Sequence, residues 1–120
     1  MKAIVPTEES EQVAVCQYLE SKHLAYWHTP NSTFTKSWSV KKRNTRLGTK
    51  SGIPDLFVII NNKLYGIEMK RRSGGVVSKS QKQWIKILND SGVETIVANG
   101  ADEAIEYIES ISNRLDVDIF

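Results

Sequence analysis

Residues 52–70, GIPDLFVIINNKLYGIEMK, constrain the fold more than any other stretch of this chain. Two apolar runs, Leu56 to Ile60 and Leu64 to Met69, flank Asn61-Asn62. Asparagine tolerates the positive φ of a type I′ turn, so the stretch reads as a tight β-hairpin. With a two-residue turn, opposed positions sum to 123, which sets Asp55 across from Glu68. Their Cα atoms would lie about 4.5–5.5 Å apart. Alternation puts Lys70 on the face of Glu68, and Ile67 and Met69 on the other. Two acids and a lysine converge.

Like charges opposed across a sheet destabilise it, so the two carboxylates either share a proton or are neutralised by a cation. Oxygen donors select hard divalent ions, Mg²⁺ or Mn²⁺, which bind through one or two carboxylates, waters and phosphate oxygens. Lys70 would then orient or help deprotonate an attacking water, or stabilise charge building on a phosphate. The plainer alternative is that Asp55 opens a strand after Pro54 and that Glu68 with Lys70 is an ordinary strand-edge pair.

The net charge of +2 conceals a segregation that bears on this choice. Between Lys36 and Lys82 the chain carries twelve basic residues and two acidic ones, and those two are Asp55 and Glu68. The rest carries four basic and twelve acidic residues. Carboxylates set alone in a basic region are what a cation site on a phosphate-binding surface requires. A solvated basic face serving solubility is the bland reading.

At 120 residues the chain is long enough for one domain with its own core. No apolar run approaches a membrane span, and the first residues hold too short an apolar stretch for a signal peptide. The single cysteine, Cys16, has no partner within the chain, which fits a reducing compartment and places the protein inside a cell.

Thr7 is the expected N-cap of a first helix running to about Lys22, with Glu8 and Glu9 beside the positive end of its dipole. Val13, Cys16 and Leu19, with Ala14 and Tyr18, recur at helical spacing and are expected to face the core. Leu24 to Thr29 reads as a short aromatic strand, in which His28 lacks a second ligand and is structural. Ser32 to Ser51 shows no secure periodicity and reads as a long loop. Its basic residues, Lys36, Lys41, Lys42, Arg43, Arg46 and Lys50, are interleaved with Phe34 and Trp38. We expect a DNA-contacting arm, with Trp38 either stacking on a base or folded onto the core. Gly48 to Gly52 lacks the spacing of a phosphate loop and precedes a strand, which argues against nucleotide hydrolysis.

Past the hairpin, Arg71-Arg72 and Gly74-Gly75 make a basic turn, and Ser78-Lys79-Ser80-Gln81 is a capping box. The helix it opens should run to about Ser91, bury Trp84, Ile85 and Leu88, and stop at Gly92. Val93 to Ala98 reads as a buried strand, and Ala104, Ile105, Ile108 and Ile111 as the inner stripe of a last helix. From Asn113 the alternation of Leu115, Val117 and Ile119 reads as a flexible or interface-forming tail, leaving a core of about residues 7–111 within one domain, 1–120.

Pro54-Asp55 followed after twelve residues by Glu68-Met69-Lys70 resembles the motif of the PD-(D/E)xK nucleases. Thr7-Glu8 with Gln12 and Tyr18-Leu19, Gly52 to Leu56, Glu68 to Lys70, and Ser78 to Gln81 together resemble its virus-type replication-repair branch, the VRR-NUC domain, in its stand-alone phage and bacterial form. The resemblance implies an α/β restriction-endonuclease-like core, α-β-β-β-α-β-α, with a small mixed sheet flanked by helices. It implies a Mg²⁺- or Mn²⁺-dependent endodeoxyribonuclease of DNA replication, recombination or repair, acting as a homodimer on four-way (Holliday) junctions in a bacterial cytoplasm. Restriction-like or nicking nucleases and a catalytically idle DNA-binding module are the alternatives. Asp55, Glu68 and the Met69 carbonyl would hold metal, Glu8 would add a first-helix carboxylate with Glu11 as its rival, Lys70 would position the nucleophile, and Gln81 would be auxiliary unless capping occupies it. Arg71, Arg72 and Lys79 would extend the DNA surface of the arm.

Overall fold

A computed structural model describes residues 4–30 and 37–118 and, over 115–118, the backbone alone. Its elements run α1 (Glu8–Ser21), β1 (Ala25–His28), α2 (Trp38–Arg46), β2 (Leu56–Ile60), β3 (Lys63–Lys70), α3 (Lys79–Asp90), β4 (Glu94–Asn99) and α4 (Ala101–Asp118). Apart from α2, this is the expected α-β-β-β-α-β-α order.

Asn61 and Asn62 take φ of 54° and 66°, the left-handed pair that a type I′ turn demands. Leu56 therefore pairs with Ile67, and each later pair follows in register down to Ile60 with Lys63. Strand β1 joins antiparallel to β2, and β4 returns parallel to β3, in the sheet order β1-β2-β3-β4. A parallel return needs a crossover, which α3 supplies.

The pleat divides the hairpin between two environments. Leu56, Val58, Ile60, Tyr65, Ile67 and Met69 face a core closed by Val15 and Leu19 of α1 and by Ala104, Ile108 and Ile111 of α4. Burial of each large aliphatic here stabilises the fold by roughly 1.5–3 kcal/mol. Glu68 and Lys70 point to the opposite face. There α3 packs on β4, and the Asn89 amide brackets the Thr95 backbone with bonds of 2.9 and 3.1 Å.

Several expectations are corrected. The inward stripe of α1 is Glu11, Val15 and Leu19, and Val13 is exposed, because the sheet meets residues four apart. The stretch read as a loop contains α2, N-capped by Ser37, whose Oγ accepts from Val40 N at 3.3 Å. None of its residues is buried, so no apolar periodicity marked it. Helix α3 packs chiefly on the single edge strand β4, which leaves Trp84, Ile85 and Leu88 half-buried instead of in the core and Ile87 exposed. Strand β4 is likewise only partly buried. The segment read as a tail from Asn113 is helical to Asp118, since no glycine or proline follows Gly100 to stop α4. Residues 119–120 and Lys36 lie outside the described residues.

Candidate active site

The acids are brought together by three elements with different local reasons for being where they are. Asp55 arrives from Gly52, which has φ of +89°. A Cβ there would come within 2.7–2.9 Å of the Ser80 and Gln81 backbone, so glycine alone lets this loop lie on the start of α3. Thr29 N donates to the Asp55 carbonyl at 2.8 Å, and Met69 N donates to Asp55 Oδ2 at 2.8 Å, drawing the carboxylate across to β3. Glu68 and Lys70 stand on β3 at 1% and 7% exposure. Glu8 comes from the first turn of α1, which Thr7 caps by accepting from Ser10 N at 3.0 Å. Glu8, Asp55 and Glu68 each present a carboxylate oxygen within 4.8 Å of the others.

This cluster is electrostatically incomplete. Both Glu68 oxygens are buried and have no hydrogen-bond partner among the described residues. Burial and the adjacent Asp55 push the Glu68 carboxyl up to about 9, against the smaller pull of Lys70. Glu8 is also raised, by its burial and by Asp55, with Lys70 opposing. Three acids face one lysine. A proton shared with Asp55 or a cation must supply what the protein does not. An all-oxygen donor set with orphaned buried oxygens fits a hard divalent ion.

The family model of the VRR-NUC domain matches residues 6–102, through all three acids and Lys70. The chain belongs to the VRR-NUC family. A solved structure described as a VRR_NUC domain protein is 25% identical, with a TM-score of 0.71 over 92% of this chain and 89% of that chain. No curated protein sequence matches the chain. VRR-NUC membership makes this a nuclease-type domain with DNA as the implied substrate, and nucleases of this family usually use divalent metals, in keeping with the acid cluster.

Around the VRR-NUC acids, the structure sorts the remaining candidates. Glu8 joins Asp55 and Glu68, whereas Glu11 turns to Arg72 at 2.7 Å. Gln81 completes the α3 capping box: its Oε1 accepts from Ser78 N at 2.8 Å, and Ser78 Oγ accepts from Gln81 N at 3.2 Å. His28 Nδ1 lies 2.9 Å from Gln12 Nε2 and 3.1 Å from the Asp55 carbonyl oxygen, and its tautomer sets whether it accepts from Gln12 or donates to Asp55. Trp38 is 73% exposed, which decides against its folding onto the core, and Lys42 Nζ sits 5.0 Å from its ring centroid.

The basic residues Lys41, Lys42, Arg43 and Arg46 are all exposed on α2. The excursion that carries them leaves the sheet at Thr29 and returns at Asp55, and the bond between those residues closes its base at the site. Lys50, Arg71 and Lys79 are exposed close in sequence to Gly52, Lys70 and Ser80. Among the described residues no helix is long and apolar enough to cross a membrane. Sequence reasoning did not find the Glu11–Arg72 pair; an acid four residues ahead of Val15 and eight ahead of Leu19 was the signal, since that spacing places it on the buried stripe.

Proposed function

We propose that this VRR-NUC chain is a Mg²⁺- or Mn²⁺-dependent, structure-selective DNA endonuclease, a Holliday-junction resolvase-like enzyme of DNA replication, recombination or repair that works as a homodimer. The observation that carries the reading is Glu68, a buried carboxylate with neither oxygen partnered among the described residues and with carboxylate oxygens of Asp55 and Glu8 within 4.8 Å. A protein that only bound DNA would gain nothing from this cluster beside its basic surface.

Asp55 and Glu68, with the Met69 carbonyl, would hold one or two ions, and Glu8 would complete the set directly or through water. The divalent ion supplies Lewis-acid chemistry, acidifying water and offsetting charge on the scissile phosphate. Asp55 spends Oδ2 on Met69 N–H, which orients Oδ1 as a ligand. Lys70, on the face of Glu68, positions the attacking water and meets the negative charge that develops as a P–O bond breaks. Gln81 acts through the α3 cap on which the Gly52 loop rests.

Substrate is gripped by the exposed side chains of α2, joined by Lys50, Arg71 and Lys79. Lys36 belongs to the same basic stretch in sequence. Trp38, exposed at the start of α2, stacks on a base where a branch point unpairs it. A chain of 120 residues has little surface for reading a long sequence, so a bend or branch that presents two strands to two copies is the better target.

The test is cleavage of a labelled immobile four-way junction beside matched duplex, single strand and splayed arm, in EDTA, Mg²⁺ and Mn²⁺, with size-exclusion light scattering on the free protein. Paired nicks confined to the junction, dependent on metal and made by a dimer, are expected. Equal cutting of every DNA would discard junction selectivity in favour of a nicking or restriction-like enzyme. Tight binding without cleavage in either metal would leave a binding module.

A further inference from the structure

Glu11 is 4% exposed, yet it is an acid on the core-facing stripe of α1. Arg72, just past the end of β3, meets it with two bonds: Nη2 to Oε1 at 2.7 Å and Nε to Oε2 at 3.0 Å. The backbone N–H of Ala101, at the start of α4, also donates to this carboxylate. Gly100 has φ of +98°, and a Cβ on it would lie 2.6 Å from Glu11 Oε2 and 3.2 Å from Arg72 Cβ. Gly100 N in turn donates to the Lys70 carbonyl at 2.9 Å. One carboxylate thus ties together the first turn of α1, the end of β3 and the start of α4.

Glu11 is buried while the Arg72 side chain is 46% exposed, so the pair is screened on one side and is a modest device for stability, but its fork geometry sets position closely. The position it sets is that of Glu8. Glu11 N bonds to the Thr7 carbonyl at 3.0 Å, so Glu8 and Glu11 belong to one closed turn. Arg72 opens the turn two residues past the end of the strand that carries Glu68 and Lys70. We propose that the Glu11–Arg72 pair is a positioning clamp that holds Glu8 against Asp55 and Glu68, so that the third carboxylate of the cation site depends on two residues that do not belong to it. This rests on the proposed metal site. Arg72 spends Nε and one Nη2 hydrogen on Glu11 and is 46% exposed, so its remaining N–H groups stay open to phosphate.

The experiment is Mn²⁺ titration of the full-length chain by calorimetry, without DNA, with melting curves in parallel. Wild type, Glu8→Gln, Arg72→Ala, Arg72→Lys and the double variant Glu8→Gln with Arg72→Lys are compared. Arg72→Ala leaves a buried acid alone, which destabilises the fold as well as the clamp; Arg72→Lys keeps the charge, loses the fork and serves in its place. We expect Arg72→Lys to weaken Mn²⁺ binding about 10-fold or more. In the Glu8→Gln background the same change should cost nothing further, because residues acting through one another are not additive. If Glu8→Gln weakens binding and Arg72→Lys lowers only the melting temperature, the clamp is overturned and the metal site stands. Additive losses also overturn it, since Arg72 would then act independently of Glu8. If wild type binds no Mn²⁺, or Glu8→Gln binds as wild type does, the ligand set itself fails and takes the clamp with it.

Discussion

The end of β3 and helix α2 are built in opposite ways. Glu68 and Lys70 are buried, and their strand contributes Ile67 and Met69 to the core on its other face. Helix α2 buries no residue, holds four basic side chains and no acid, and stands on an excursion closed at Thr29 and Asp55. The acids need exact spacing, which packing on both sides of a strand supplies. Phosphate contacts need charge within reach and tolerate motion, so they can sit on an element that the core does not hold. In the proposed reading the chain places its chemistry on the part of the fold packed on both sides and its grip on a separable one.

The largest effects should come from breaking the rigid half. Asp55→Asn or Lys70→Ala should reduce cleavage by at least about 10³-fold. Asp55→Asn keeps an acceptor for Met69 N–H and removes a charge next to Glu68, so melting temperature and junction binding should be retained. A variant that cut normally would remove that residue from the chemistry. Next should come the grip. Replacing Lys41, Lys42, Arg43 and Arg46 by glutamine should reduce the slope of log binding constant against log salt by about 3–4, from a wild-type value near −5 if about six phosphates are neutralised. An unchanged slope would show that α2 does not meet DNA.

The two halves were also unequally legible in the sequence. The hairpin could be read because Asn61-Asn62 announces its turn and register arithmetic carries that turn outward to Asp55, Glu68 and Lys70. Glu8 and Glu11 share one turn, and the stripe of Val13, Cys16 and Leu19 did not rank them; the fold does, because Glu11 lies on the buried stripe of Val15 and Leu19. Helix α2 was unreadable for the reason that makes it separable: periodicity reports a face packed against something, and α2 packs none of its residues away. Trp84 shows the converse. A strong apolar stripe tells which side of α3 turns inward, but not how much of it a single edge strand covers.

Stability should divide along the same line. Ile67→Ala, directly beneath Glu68 in the core, should destabilise the protein by about 2–5 kcal/mol in urea unfolding. Val40→Ala on α2 should change it by less than about 0.5 kcal/mol. A large loss at Val40 would mean that α2 is docked on the domain, and the separation of grip from chemistry would fail.

The effect most specific to the acid end is on the pH dependence of stability. Glu68 rises from an ordinary value of 4.5 to about 9 in the folded protein, so the folded state holds this proton more tightly than the unfolded chain does. Its contribution is fully present below 4.5 and is lost as pH rises toward 9, and the melting temperature of the metal-free protein should fall across that window. Glu11 and Glu94, whose carboxyls are held low by Arg72 and by Tyr107 with Arg114, act with the opposite sign but only in acid, below the Glu68 window. Glu68→Gln should therefore flatten the fall and raise the melting temperature at pH 8. Saturating Mg²⁺ should flatten it in wild type, because a cation replaces the proton and releases it to solvent. Differential scanning calorimetry from pH 5 to 9, with and without Mg²⁺, measures both. A metal-free protein whose melting temperature stays level or rises would mean that Glu68 is ionised without a cation, and the case for a metal site would lose its main support. The α2 glutamine variant should show the wild-type slope, since its removed charges are exposed and the charged groups that act on the Glu68 proton are Asp55, Lys70 and Glu8.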